Sequence, residues 1–141
     1  MPRVFELSLI ADLDKLGEVR AFIKRVGTAL GAPDEMVGDL CLVVDEAVTN
    51  IVLHGYAGAG GPVEIHVERD GDDLVVLLRD RAAAFDGHGV QAPKLDESLA
   101  ERKFGGMGVY LIRQLTDRSE FRSRAGGGNE LRLVNRVGPT T

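Results

Sequence analysis

Eighteen of the 141 residues are glycine, and they are gathered, not spread. Clusters at 55–61, 87–89, 105–108 and 126–128 each fall between segments with a clear hydrophobic period. Glycine interrupts helix and strand alike, because its backbone reaches conformations closed to other residues. The chain is therefore cut into short elements joined by glycine-bearing loops. With 44% hydrophobic and 28% charged residues it still carries enough apolar material for a core, which argues against disorder. There is no internal repeat and no linker long enough to split it. Residues 1–141 are expected to form a single domain.

The periodic segments follow a definite order. Residues 3–10 alternate through Val4, Phe5, Leu7 and Leu9, as a strand does. Asp12 is placed to cap a helix running to Leu30, with Leu16, Val19, Phe22, Ile23 and Val26 at helical spacing and Gly31 as its stop. Pro33 and Asp34 open a second helix reaching about His54. Residues 63–69 alternate, Asp70-Gly71-Asp72-Asp73 is a hairpin signal, and 74–79 is more continuously apolar. A polar, glycine-bearing stretch at 80–104 is long for a compact domain, and such loops tend to carry function. A short helix from Gly108 to about Leu115 and a closing hairpin of 118–124 and 130–137 complete the chain. This β-α-α-β-β-loop-α-β-β order predicts an α+β two-layer sandwich, its sheet mixed but mainly antiparallel, with helices on one face.

Composition excludes several classes of function. With 17 basic against 22 acidic residues the net charge is −5, which disfavours direct nucleic-acid binding. One cysteine, Cys41, rules out an internal disulfide framework and a cysteine-rich zinc site, and its place in an apolar stripe marks it as a core residue. No apolar run approaches the ~18 residues of a membrane span, and the N-terminus lacks a signal-peptide layout. A cytoplasmic protein is expected.

The second helix carries polar residues in an unusual setting. Val37, Leu40, Cys41, Val44, Val48, Ile51 and Val52 form its apolar stripe. Nearly opposite lie Glu46, Asn50 and His54, with Leu42 and Leu53 close beside Glu46. A polar row among leucines suits a cleft wall, although a solvated face with two stray leucines gives the same pattern. A carboxylate and an amide oxygen one turn apart suit a hard cation such as Mg²⁺. Asp80 follows the apolar strand and Phe85-Asp86 comes shortly after; alone, Asp80 suits a turn as well as a ligand. Gly105-Gly106-Met107-Gly108 precedes a helix, where glycine lets backbone N–H groups approach a phosphate. Its spacing is neither that of a Walker A loop nor that of a dinucleotide fingerprint.

The three motifs in this order resemble the ATP-binding superfamily of gyrase B, MutL and the histidine kinases. Within it the resemblance is nearest to the bacterial anti-sigma-factor serine/threonine kinases. Asp45-Glu46-Ala47-Val48-Thr49-Asn50 with His54-Gly55-Tyr56 is similar to their N-box. Asp80-Arg81 through Phe85-Asp86 is similar to the first glycine box, and Gly105 through Ile112, followed by Asp117, to the second. The resemblance extends over essentially the whole chain. It implies a Bergerat-type histidine kinase-like ATPase fold, with ATP and Mg²⁺ as cofactors.

By that resemblance Glu46 is the general base and Asn50 coordinates Mg²⁺. Asp80 binds the adenine amino group, with Phe85 and Asp86 beside it. Gly105, Gly106 and Gly108 line the phosphates, and Lys103 with Arg102 meets the γ-phosphate. The implied partners are a sigma factor and a STAS-domain anti-sigma-factor antagonist, whose serine or threonine is phosphorylated; a homodimer formed through the first strand and helix is implied too. The alternative is a non-catalytic, nucleotide-responsive module that sequesters a partner. A sensor histidine kinase is excluded by length. One residue departs from the family pattern: Ala82 stands where the first box usually has glycine. Its methyl is expected to crowd the adenine or to shift a left-handed turn.

Overall fold

Asp12 starts the first helical segment. Its extended backbone and its side chain, which accepts from the Asp14 N–H at 2.9 Å, cap a short 3₁₀ turn at Leu13–Lys15. The turn runs directly into α1, Leu16–Ala29, which buries Val19, Phe22, Ile23 and Val26 and stops before Gly31, where φ is +92°. The structure is a computed structural model and describes residues 4–82 and 106–139. Strand β1 is Val4–Ala11 and α2 is Asp34–Asn50, continued by a single π turn at Ile51–Gly55. Then come β2 (Gly61–Asp70), β3 (Asp73–Asp80), α3 (Gly106–Leu115), β4 (Arg118–Ser123) and β5 (Asn129–Arg136). The expected α+β architecture is borne out, with helix and strand ends moved by a residue or two.

The five strands form one sheet in the order β1-β2-β3-β5-β4. Every pairing is antiparallel, so the sheet has no parallel pair among the described residues. Alternate residues of β2, β3 and β5 (Val63, Ile65, Val67; Leu74, Val76, Leu78; Leu131, Leu133) are buried and share one core with the helices. The α2 contribution includes Val37, Leu40, Val44 and Val48 as its periodicity predicts, together with Val43 and Ala47. Cys41 lies in this core, and burial pushes its thiol pKa up.

The core face ends differently at its two edges. At one end Arg69 is buried and donates to three backbone carbonyls, those of Gly71, Leu30 and Gly138. It thus ties the β2–β3 hairpin to the end of α1 and to the segment after β5. At the other end β3 and β5 bring Asp80 opposite Asn129, both buried. No helix among the described residues is long and apolar enough to cross a membrane.

Candidate functional site

The register of β3 against β5 creates a cavity of about 180 Å³ at the Asp80–Asn129 end of the sheet. Its apolar walls are Leu78 and Leu131 from the sheet floor, Ile112 from α3, Phe121 from β4, and Ala47 and Ile51 from α2 and its π turn. Its polar groups are Asn50, His54, Asp80, Asn129 and Glu130. An apolar slot with few polar groups is how small-molecule sites are usually built.

Asp80 is the most constrained of those groups. A buried carboxylate is costly unless hydrogen bonds replace its water. Here Oδ1 accepts from the Ala82 N–H at 2.8 Å and from Asn129 Nδ2 at 3.0 Å, while Arg124 holds the Asp80 carbonyl at 3.0 Å. No hydrogen bond to Oδ2 is present among the described residues, so Oδ2 is the acceptor that remains for a ligand. Gly128 makes this closeness feasible. Its φ is +92°, and a Cβ there would fall 2.0 Å from the Asp80 carbonyl oxygen.

The segment after Asp80 is held from behind. The Tyr56 hydroxyl donates to the Pro62 carbonyl and accepts from the Arg81 N–H, each at 2.7 Å. It bridges the start of β2 to the residue after β3, and burial raises its pKa above the ordinary value. Ala82 comes next, buried and lining the cavity. Its backbone is not left-handed: Ala57 is the one described non-glycine residue with positive φ. The methyl instead fills the space beside Gly55, where an added Cβ would lie 2.8 Å from it. The departure at 82 therefore reshapes the cavity wall and does not strain the turn.

The sequence-predicted residues separate into four groups. Asn50 and Asp80 are brought together on the cavity wall, along with His54. Glu46 is half-buried one turn earlier and is not part of that wall. The cavity takes Ala47, Asn50, Ile51 and His54, so its wall is centred to one side of the Glu46–Asn50 row and Glu46 falls just beyond its edge. Leu42 and Leu53 do not line the cavity either; they stay exposed. Gly106 and Gly108 lie in the first turn of α3, which starts two residues earlier than predicted. Phe85, Asp86, Arg102, Lys103 and Gly105 lie outside the described residues.

Comparison with known proteins fits this geometry. Residues 9–135 match the family model for a histidine kinase-like ATPase domain. A serine-protein kinase RsbW of Bacillus pumilus is 30% identical over 134 residues, covering 87% of this chain and 80% of that protein. The chain belongs to the histidine kinase-like ATPase domain family, in its anti-sigma-factor kinase branch. An RsbW of Halalkalibacterium halodurans is 27% identical over 129 residues, covering 89% of this chain and 79% of that protein. An anti-sigma F factor of Clostridium kluyveri is 28% identical over 113 residues, covering 80% and 77%.

Solved structures extend the likeness at the level of fold. One, the RsbU and RsbW domains of Rv1364c from Mycobacterium tuberculosis, has a TM-score of 0.63 at 19% identity. It covers 97% of this chain, which spans only 35% of that longer one. Another, the SiaB–SiaC complex of Pseudomonas aeruginosa, has a TM-score of 0.65 at 17% identity and covers 94% of this chain and 89% of that one.

Within this ATPase family member, the residues that sequence reasoning missed are Asn129, Tyr56 and the apolar walls. Asn129 follows the triple-glycine turn and carries no local mark of a site. Its role arises only from pairing with a strand that ends 49 residues earlier in the chain. Tyr56 sat within the N-box stretch, but nothing local tied it to residue 81.

Proposed function

We propose that this protein binds ATP in the Asp80 cavity and transfers the γ-phosphoryl group to a serine or threonine of a STAS-domain antagonist. In the same reading it holds a sigma factor until that antagonist displaces it. The observation that carries the proposal is the Asp80 carboxylate, fixed through Oδ1 inside an apolar slot with Oδ2 left to accept a hydrogen bond. An exocyclic amino group on a flat apolar ring matches such a slot. Membership of an ATPase-domain family and relatives named serine-protein kinase and anti-sigma F factor support the reading.

The roles follow from the chain's own groups. Asp80 accepts from the adenine amino group, with Phe85 and Asp86 beside it. Gly105, Gly106 and Gly108 supply N–H groups to the phosphates, and Lys103 with Arg102 meets γ-phosphate charge. No cluster of three His, Cys, Asp or Glu side chains able to hold a metal occurs among the described residues. Mg²⁺ does not need one, since it keeps several waters and takes one or two protein oxygens plus phosphate. Asn50, an oxygen donor on the cavity wall, fits that demand. Bound there, Mg²⁺ supplies charge neutralisation at the phosphates.

In the transfer step the acceptor hydroxyl oxygen bonds to the γ-phosphorus. The bond from phosphorus to the β–γ bridging oxygen breaks, ADP leaves with that electron pair, and the hydroxyl proton passes to the Glu46 carboxylate. The position of Glu46 outside the cavity wall suits a base that meets a hydroxyl arriving from solvent. A homodimer through the edge strand β1 belongs to the same proposal. Val4 and Ile10 on that strand and Leu13 just after it are exposed at 47%, 65% and 47%. The cytoplasm, where ATP and sigma factors reside, is its place. A non-catalytic nucleotide-responsive binder is the second reading, favoured by the Ala82 methyl in the cavity wall.

Incubation with Mg-ATP and a purified STAS-domain protein from the same genome, followed by mass spectrometry, tests this. Phosphate on serine or threonine is expected, with Glu46→Gln slowing transfer by ~10²-fold or more while ATP still binds. Equal rates remove the base assignment. ATP binding without transfer selects the second reading, and no binding at millimolar Mg-ATP overturns both.

A further inference from the structure

Glu35, Asp39, Leu42, Glu46, Thr49 and Leu53 follow one another at steps of four, three, four, three and four residues. At about 3.6 residues per turn, the steps from Glu35 to Thr49 hold a single line along α2, and Leu53 stands one turn further on, in the π turn of Ile51–Gly55. That line is the outward ridge of α2, continued over the π turn, while the opposite side packs into the core.

The ridge has a composition that solvation alone does not ask for. Leu42 and Leu53 are 44% and 43% exposed and bracket Glu46 along it. Single exposed leucines are ordinary, but two that flank one carboxylate are a pattern. Among the described residues, Glu35, Asp39 and Glu46 make no ion pair, whereas the neighbouring Asp45 is held by Arg20 at 2.7 Å. Toward its C-terminal end the ridge passes beside Asn50 and His54 of the cavity wall. Glu46 itself lies outside that wall, so any hydroxyl it serves must be presented from the ridge side.

We propose that this ridge is the docking face for the protein that receives the phosphoryl group. The proposal rests on the kinase reading above and specifies the chemistry of the partner. Its docking segment presents a serine or threonine between two apolar side chains, which seat on Leu42 and Leu53. At a rise of about 1.5 Å per residue those anchors fall about 6 Å and 10 Å from Glu46. Beyond the Leu42 anchor the segment carries lysine or arginine, facing Asp39 and Glu35. The apolar pair fixes where the hydroxyl lands, and the acidic end fixes which way the segment runs.

The test uses the full chain, Mg-ATP and a purified STAS-domain protein from the same genome. Leu42→Ser and Leu53→Ser are expected to raise the KM for that protein at least fivefold each, with the affinity for a fluorescent ATP analogue changed less than twofold. Glu35→Lys with Asp39→Lys is expected to raise the same KM and to flatten its dependence on salt. Both pairs lie on the surface, so either set keeps the test open if the other misfolds. Unchanged KM in all variants, with wild type active, overturns the docking face and leaves the kinase reading standing. Weaker ATP binding by the leucine variants without any partner shows that the ridge serves the chain itself, and also overturns it. A wild type that neither binds nor phosphorylates the STAS protein removes the kinase reading, and the docking face with it.

Discussion

Asn129 Nδ2 donates to Asp80 Oδ1 at 3.0 Å, across a β3–β5 register that sets the two residues directly opposite. Asp80 is thereby held in a chosen rotamer with one oxygen satisfied. A carboxylate orientated in advance binds its ligand without first being ordered. Asn129→Ala is expected to leave Asp80 with the Ala82 N–H alone and to weaken ATP binding about tenfold. Asp80→Asn, which removes the charge and makes one terminus a donor, is expected to cost more, about 100-fold. Calorimetric titration with ATP checks both. Losses that add in the Asn129→Ala, Asp80→Asn double variant would show that Asn129 acts on the ligand and not through Asp80.

Gly55 and Ala82 share one space in the cavity wall. A Cβ added at Gly55 would lie 2.8 Å from the Ala82 methyl, well inside van der Waals contact. Gly55→Ala is therefore expected to destabilise the protein by about 1–3 kcal/mol, the usual cost of overpacking. Ala82→Gly removes the methyl and enlarges the cavity at that point. The double variant Gly55→Ala with Ala82→Gly moves the methyl across the gap and is expected to recover at least half of the loss. Urea unfolding of the four proteins gives the coupling directly. Additive losses would mean that the backbone yields at Gly55 and that the two residues do not compete for space.

The helices, strands and their order were legible because each is written locally, in a period of apolar residues and in a cap or stop. Asp12 starts the helical segment that leads into α1, and Gly31 stops α1, as their chemistry predicts. Asn50 and Asp80 were legible only through ordered motifs, since neither residue alone separates a ligand from a cap or a turn. The Asp80–Asn129 bond was not legible at all, because register between strands is a tertiary fact that no local pattern encodes. The offset of Glu46 from the cavity has a simpler cause. A spacing of four keeps Glu46 and Asn50 on one face, but the wall also takes Ala47 and Ile51 and is centred on their side of the helix, which leaves Glu46 just past its edge. The outward leucines were visible in the sequence, but their exposure was not.

Arg69 is buried with three backbone carbonyls as its hydrogen-bond partners. One of them, Leu30, lies at the C-terminus of α1, where unsatisfied carbonyls carry partial negative charge. Arg69→Met keeps much of the stem but leaves all three acceptors without their donor. A loss of about 3 kcal/mol is expected, lowering Tm by on the order of 10 °C. Arg69→Lys keeps the charge but cannot reach three carbonyls at once, and is expected to recover only part of the loss. Because Arg69 lies at the far end of the sheet from the cavity, ATP affinity measured well below Tm should be unchanged. A matching loss of affinity would place the cross-tie in control of the site.

Two acids, the buried Cys41 and the partly buried Tyr56, give the protein a specific alkaline weakness. Burial raises the Cys41 thiol above its ordinary 9.0 and the Tyr56 phenol above its ordinary 10.0. For Tyr56 the N–H of Arg81, donating to the hydroxyl oxygen, opposes the rise without cancelling it. In both cases the folded chain keeps a proton that the unfolded chain gives up sooner. Their contributions are fully present below the unfolded pKa and are lost as pH rises through the folded one. Stability should therefore begin to fall near pH 9, through Cys41, and fall more steeply past pH 10 as Tyr56 joins. Cys41→Ala is expected to delay the onset. Tyr56→Phe is expected to cost about 1 kcal/mol at neutral pH, since Arg81 N–H and the Pro62 carbonyl lose their shared partner, yet to flatten the slope above pH 10. Urea midpoints from pH 7 to 11 would show it, with tyrosinate absorbance following Tyr56 against Tyr110, the other tyrosine. An unchanged slope in Tyr56→Phe would mean that the phenol ionises alike in folded and unfolded chains, and that its bridge between β2 and β3 is open to water.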